Sequence, residues 1–162
     1  MNPETLRDFL ADAGGHGPVV GMLRDDALTR TPSGLRVRNV DATAATTLDD
    51  LFTAFAAAWH FPDHFGHNKS AFDDCMRDLD GSAEPGSAPA GFLTLITDAH
   101  MLLTDDPDGF DWFAESMPFY RDHYRDHDSQ SVFAVLLCTP RRYRDTVRTR
   151  WRAAGVRVAE VR

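Results

Sequence analysis

The most continuous apolar run of the chain reads Val132-Phe133-Ala134-Val135-Leu136-Leu137-Cys138. It lacks the polar alternation of a strand with one wet face, and it is typical of a strand covered on both faces in a parallel sheet. We therefore predict that residues 132–138 form the central strand of an α/β fold.

Strand and helix patterns alternate on either side of this run. Further strands are predicted at 18–23, 35–40, 92–97 and 156–161, and helices at the N-terminus, at 47–59, from about 68, at 110–127 and at 141–154. The strands at 35–40, 92–97 and 132–138, with helices between them, imply a small, mainly parallel three-stranded sheet packed with helices. The segments 1–34 and 139–162 are extensions that can add strands, and we expect one domain over residues 1–162.

Several local signals sharpen the predicted boundaries. Asn2 precedes a proline and an acid and predicts the start of the first helix, and Thr47 opens the second with a capping-box-like pair. Pro118 lies inside the helical pattern at 110–127 and should kink that helix or divide it in two. Residues 81–91 are rich in Ser, Ala, Pro and Gly, which predicts a surface loop.

Charge divides the chain unevenly. The formal net charge is −8, but eight arginines face two acids from Thr139 onward, which leaves about −14 for the first 138 residues. An acidic body repels nucleic acid and anionic membranes, and it attracts basic proteins. With neither a membrane-spanning apolar run nor an apolar signal core, the chain is expected to be cytoplasmic. Cys75 and Cys138 are expected to be buried thiols.

A loop and the start of a helix form the most distinctive segment of the sequence. It reads Phe61-Pro62-Asp63-His64-Phe65-Gly66-His67-Asn68-Lys69-Ser70-Ala71-Phe72-Asp73-Asp74-Cys75-Met76. Asn68 can cap the helix. Gly66 either gives the backbone a conformation closed to other residues or lets a partner come close. The helical spacing buries one stripe, Phe72, Cys75, Met76 and Leu79, and turns the polar side chains outward.

This segment resembles the barstar family, whose members are intracellular inhibitors of small secreted ribonucleases of the barnase kind. The resemblance extends over about 35–138 and implies a barstar-like α/β fold. It also implies a bacterial, cytoplasmic, immunity-type protein that is a monomer when free and needs no cofactor. The expected partner is a basic ribonuclease or toxin.

The resemblance also implies which residues meet the partner. In the family, an Asp at the position of Asp74 enters the ribonuclease active site, stands in for a substrate phosphate and pairs with catalytic Arg and His. Such charged hydrogen bonds are strong in a desolvated site. The other expected contacts are His64, Phe65, Gly66, Asn68, Lys69, Ser70, Asp73 and Arg77. A second acidic contact could be Asp122 or Asp126, and the sequence does not choose between them.

The chain departs from the family pattern at four positions of this segment. Ser70 stands where an Asp is usual, and Lys69 stands where an apolar residue is usual. His64 replaces the first aromatic, and Asp73 replaces a bulky apolar residue. These changes predict a different partner or a lost inhibition, and tight binding to barnase itself is not expected. The alternative is a non-inhibitory interaction module with another partner.

Three other functions fit the sequence less well. His60, His64 and His67, with Cys75 or Asp63, invite a metal site, but compact zinc-ligand spacings are absent, so no metal is expected. Phosphate-cradling and nucleophile motifs are absent too, so we predict no catalytic residues. The arginines after residue 139 could touch RNA phosphates, but pairing with the acidic body is the expected role, without direct nucleic-acid binding.

Overall fold

The computed structural model describes residues 3–24, 28, 30, 32–81, 89–127 and 130–162. The strands within them are β1 (Val20–Leu23), β2 (Leu35–Asp41), β3 (Gly91–Thr97), β4 (Val132–Leu137) and β5 (Val158–Val161). They form one sheet in the order β2-β3-β4-β1-β5, and all four neighbouring pairs are parallel. The predicted mixed α/β fold with a parallel sheet is confirmed.

The two extensions enlarge the expected three-stranded sheet to five strands. β4 lies in the middle as predicted, with β3 on one side and β1 on the other. β1 comes from the N-terminal extension and separates β4 from β5 of the C-terminal extension. Gly21 permits close packing here, because a Cβ at this position would lie 2.8 Å from Val161 Cγ2 and 3.0 Å from the Phe9 ring.

Five helices cover the two faces of the sheet in the described part of the chain. They are α1 (Leu6–Ala13), α2 (Leu48–Trp59), α3 (Lys69–Met76), α4 (Pro107–Asp126) and α5 (Arg144–Ala153). Because side chains alternate along a strand, β4 sends Phe133, Val135 and Leu137 into the larger core under α2 to α5. Ala134 and Leu136 enter the smaller core under α1. Aromatic rings dominate the larger core, where Phe72 packs 5.3 Å from Phe55 between ring centroids.

Two predicted helix features need correction. The N-cap of α1 is Thr5, whose hydroxyl accepts a hydrogen bond from the Asp8 amide at 3.1 Å, while the predicted cap Asn2 lies outside the described residues. Pro118 does not divide α4, which runs unbroken for 20 residues. A proline removes one helical hydrogen bond, but residues buried on both sides of it, including Met117 and Tyr120, hold α4 on the sheet.

One further predicted cap is confirmed, and one predicted loop lies mostly outside the described residues. Thr47 caps α2 by accepting a hydrogen bond from the Asp50 amide at 3.2 Å. Most of the loop predicted at 81–91 falls on residues 82–88, which lie outside the described ranges. Among the described helices, none combines the length and apolar character that crossing a membrane requires.

Candidate functional site

The loop between α2 and α3 is held at both ends by local hydrogen bonds. α2 stops at His60, which adopts a left-handed conformation with φ 55°, and the Phe61 amide donates back to the Ala56 carbonyl at 3.0 Å. A turn then brings the Phe65 amide 2.9 Å from the Pro62 carbonyl. The loop is therefore a defined turn between two fixed helix ends.

Phe65 anchors this loop to the core and does not project toward a partner. Its ring lies 5.1 Å from that of Phe61 and 6.0 Å from that of Phe52, and the side chain is half-buried. Edge-on aromatic contacts at such distances stabilise by about 0.5–1.5 kcal/mol each beyond the buried area. Phe65 therefore supports the predicted surface from beneath.

Gly66, in the turn before α3, does not adopt the special backbone conformation that was one of its two predicted roles. Positive φ occurs at His67, 47°, and Gly66 does not share it. A Cβ on Gly66 would lie 3.3 Å from Asn68 Nδ2. The Asn68 amide group donates to the Gly66 carbonyl at 3.2 Å, and its oxygen accepts from the Ala71 amide at 2.8 Å. Gly66 thus leaves room for the cap of α3, and it is exposed to solvent, as the other alternative requires.

α3 presents Asp74 to solvent, as the family pattern implies. Phe72 and Met76 are buried beneath the helix, whereas 74% of the Asp74 side chain is exposed. Its carboxylate oxygen Oδ1 accepts a hydrogen bond from Arg77 Nη2 at 3.1 Å. The anchor predicted from sequence is therefore accessible, with a cation of the same helix beside it.

Asp73 differs from the predicted outward position. Its side chain is only 34% exposed, and Oδ2 accepts a hydrogen bond from Arg77 Nε at 3.0 Å. Burial, together with the nearby Asp73 carboxylate, raises the pKa of the Tyr120 hydroxyl. Asp73 is turned toward α4 because the helix rotates it about 100° from Asp74, so its charge is shared with Arg77 and is less available to a partner.

The first turn of α3 carries two of the four residues that depart from the family pattern. Ser70 and Lys69 are exposed, and the Lys69 ammonium lies 5.4 Å from the centre of the half-buried Trp112 ring. A cation over an indole face is attracted by its negative electrostatic potential. The positive charge of Lys69 is therefore directed toward α4 at one end of the predicted contact surface.

A shallow pocket of about 290 Å³ opens beside Asp74. Its lining includes His64 and Asp74, which the sequence predicted as partner contacts, together with His60, which was considered only as a metal ligand, and Asp78, which was missed. Asp78 follows Asp74 by four residues, and that spacing could have indicated a shared face. We call His60, His64, Asp74 and Asp78 the acidic surface. It brings two carboxylates and two imidazoles around one concavity.

Cys75 lines the same pocket and is half-buried, so the prediction of a buried thiol is only partly met. Burial, with the charges of Asp74 and Asp78, raises the pKa of this thiol. Cys138, at the end of β4, is buried. The two cysteines are not joined by a disulfide bond.

The position of α3 relative to α4 is set by a buried tyrosine. The Tyr124 hydroxyl donates to the Met76 carbonyl and accepts from the Leu79 amide at 3.0 Å. His123 Nε2 lies 3.0 Å from the Arg77 carbonyl oxygen. These contacts fix the C-terminal end of α3, which is where Asp78 follows.

Neither candidate for a second acidic contact belongs to the pocket lining. Asp122 lies 3.0 Å from Arg121 Nε and 3.1 Å from Arg125 Nη1. Asp126 lies 2.9 Å from Arg125 Nε, and the hydrogen bond from Arg125 lowers the pKa of the Asp126 carboxyl. Both carboxylates are thus paired with arginines along α4.

The histidines do not assemble a metal centre in the described part of the chain, where no group of three or more His, Cys, Asp or Glu has a suitable arrangement. His60 and His64 line the pocket, but His67 turns away and lies 3.5 Å from Asp49 Oδ1. Of these three histidines, His67 is therefore the one that does not line the pocket.

Comparison with protein families matches residues 35–138 to the family described as Barstar (barnase inhibitor). The matched span begins with β2, contains the whole acidic surface and ends directly after β4. No curated protein shows a significant match. Since the match covers more than half of the chain and includes the capped helix that carries Asp74, the chain belongs to the barstar family.

Proposed function

We propose that this protein is a barstar-like inhibitor that places its acidic surface in the basic cleft of a ribonuclease or toxin, with Asp74 as the central anchor. The proposal is carried by the exposed Asp74 carboxylate on a helix fixed at both ends. Preorganisation lowers the entropy lost on binding, and a carboxylate matches the bidentate geometry of arginine. The protein would act in the cytoplasm as an immunity-type monomer.

Asp78 extends the negative charge of the anchor along α3. It lies four residues after Asp74, lines the same pocket and is exposed. Two carboxylates facing a basic cleft accelerate association by electrostatic attraction, an effect for which the barstar–barnase pair is itself a reference case. We expect the association rate to fall as ionic strength rises.

Arg77 opposes this interaction at close range. Its guanidinium contacts Asp73 at 2.9 Å and Asp74 at 3.1 Å, so a partner cation has to replace it at Asp74. An exposed ion pair of this kind contributes at most about 1 kcal/mol, and Arg77→Gln should therefore tighten partner binding by about two- to fivefold.

The decisive experiment measures inhibition of purified basic ribonucleases encoded in the same genome, with barnase as a reference. Wild type should inhibit at least one of them, and Asp74→Ala should weaken inhibition by at least about thirtyfold, as for a central binding residue. Asp105→Ala removes an equal charge at an exposed position outside the pocket and should change inhibition less than twofold. Equal inhibition by wild type and Asp74→Ala would contradict the anchor role.

A second candidate function is a non-inhibitory interaction module with a partner other than a nuclease. Ser70 and Lys69 favour it, because they reduce negative charge on the first turn of α3, where Lys69 faces Trp112. Absence of inhibition by saturating protein across the nuclease panel would support this module. Ser70→Asp distinguishes the two functions, since it should strengthen inhibition of a basic nuclease.

A further inference from the structure

A second concave site lies along α5 and β5, outside the segment that matches the family. It is an open groove of about 960 Å³ whose lining includes six arginines. They are Arg24, Arg141, Arg144, Arg148, Arg152 and Arg157. Among the described residues, Glu160 is the one carboxylate in this lining. We call this site the arginine groove.

The groove follows from helical spacing. Arg141, Arg144, Arg148 and Arg152 are separated by three, four and four residues, so they share one side of the turn before α5 and of α5 itself. Arg150 points elsewhere: its guanidinium is half-buried, lies 3.7 Å from the Phe110 ring centre and donates to the Leu103 carbonyl at 2.8 Å. One side of α5 therefore carries Arg150, which stabilises the fold, and another side carries the arginines that line the groove.

Two of the groove arginines are fixed in place. Arg144 donates to the Leu23 carbonyl at 2.7 Å and to Glu160 Oε2 at 2.7 Å. Arg148 is ion-paired with Glu160 and lies 2.8 Å from Asp145. Their side chains are only 16% and 26% exposed. The expected pairing of these arginines with the acidic body is therefore wrong here, because their carboxylate partners come from the same C-terminal segment.

The remaining groove arginines keep their charge available. Arg24, Arg141, Arg152 and Arg157 are exposed, and their side chains form no ion pair or hydrogen bond within the described ranges. The carboxylate of Glu4 is close enough to Arg157 for their charges to interact. Like charges gathered in one concavity repel each other, so folding alone does not explain the arrangement.

We propose that the arginine groove binds the phosphate chain of a polyphosphorylated small molecule. Guanidinium groups match phosphate oxygens with two parallel hydrogen bonds, and several of them around one concavity favour a ligand with several adjacent charges. The groove volume lies at the upper end of the range for small-molecule sites. Glu160 holds Arg144 and Arg148 in position, and the exposed arginines then close on the ligand.

The groove is separate from the acidic surface. The two linings share no residue, and β5 is the edge strand opposite β2 in the sheet. The proposal therefore does not depend on nuclease inhibition, and Asp74→Ala should bind the phosphate chain as wild type does.

Isothermal titration of the full chain with inorganic tripolyphosphate at low salt tests the proposal. Wild type should bind one equivalent, and Arg141→Gln/Arg152→Gln should bind at least about tenfold more weakly, because two charged phosphate contacts are lost. Arg30→Gln/Arg36→Gln removes the same charge outside the groove and should bind as wild type does. Unchanged unfolding temperatures would show that both variants fold.

Three further arms decide the source of the phosphate. ATP should bind at least as tightly as tripolyphosphate, and citrate, with carboxylates in place of phosphates, should bind at least tenfold more weakly. Binding of a 12-nucleotide RNA without binding of tripolyphosphate would overturn the proposal in favour of a nucleic-acid surface. No binding of tripolyphosphate at millimolar concentration, equal binding of citrate, or equal weakening in both double variants would also overturn it.

Discussion

The acidic surface and the arginine groove carry opposite charges on two helices that pack against the same sheet, but the charges are neutralised to different extents. On α3, Arg77 lies within 3.1 Å of Asp74 and partly neutralises the exposed carboxylate. Along α5, Glu160 instead binds the two half-buried groove arginines, Arg144 and Arg148, and the four exposed groove arginines form no ion pair or hydrogen bond with their side chains in the described part of the chain. The charge that remains accessible therefore depends on which side chains are already paired with residues of neighbouring elements.

The two regions also differ in origin but share one core. The acidic surface lies inside the family match, whereas most of the groove lies in the C-terminal extension. Trp151 of α5 is buried, and its ring centroid lies 6.2 Å from that of Phe113. The ring of Phe72 of α3 lies 6.3 Å from the same Phe113 ring. The extension is therefore built into the same aromatic layer as the family segment.

The largest expected effect concerns this shared core. Phe72→Ala and Trp151→Ala should each lower the free energy of unfolding by about 3–5 kcal/mol, because both remove a fully buried aromatic ring. Urea unfolding of the two variants measures the effect. A cost below about 1 kcal/mol for Trp151→Ala would show that the extension is only appended to the family core.

A smaller effect on stability is expected when one tyrosine hydroxyl is removed in each region. Tyr124→Phe removes two buried hydrogen bonds between α4 and the end of α3, and it should cost about 1–3 kcal/mol. Tyr143→Phe is the matched change near the groove, where the ring stacks 4.1 Å from His100 and its hydroxyl has no hydrogen bond in the described residues. It should cost less than about 0.5 kcal/mol. Thermal or urea unfolding compares the two variants, and equal costs would contradict the role of the Tyr124 hydroxyl in holding α3 against α4.

Weaker still is the effect of Arg77→Gln on stability, which should stay within about 1 kcal/mol, because the Asp74 carboxylate is exposed and the pair with Asp73 is only partly buried. The matched Arg144→Gln removes a less exposed pair with Glu160 and a bond to the Leu23 carbonyl, and it should cost about 1–2 kcal/mol. Urea unfolding tests the order. A larger cost for Arg77→Gln than for Arg144→Gln would contradict the conclusion that the groove arginine is the more firmly held of the two.

The smallest expected effect is on thiol reactivity. The raised pKa of Cys75 keeps its thiol protonated at neutral pH, so alkylation should be slow and should accelerate as pH rises toward that pKa. Asp74→Asn/Asp78→Asn removes two nearby negative charges, lowers the pKa and should speed alkylation about two- to threefold at pH 8. Mass spectrometry assigns the site, and buried Cys138 serves as the internal control. An unchanged rate would show that burial alone sets the pKa.

Local patterns predicted the elements and part of the site. Thr47 and Asn68 cap their helices as expected, and the run at 132–138 contains the central strand, because capping and burial are read from neighbouring residues. The exposure of Asp74 followed from helical spacing. Asp73 was misplaced, because its half-buried position depends on Arg77 and on Tyr120 of α4, which lies more than 40 residues away in sequence.

The motif at 61–76 was sufficient to indicate the family, and periodicity was sufficient to predict the order of strands and helices and the exposed Asp74 carboxylate on α3, since all of these depend on residues close together in the chain. Only the tertiary structure decided that β1 lies between β4 and β5, that Asp78 joins Asp74 at one pocket, and that six arginines meet at a groove. Strand pairing and these side-chain contacts join segments that are distant in sequence. Their free energies depend on tertiary packing, which cannot be predicted from neighbouring residues.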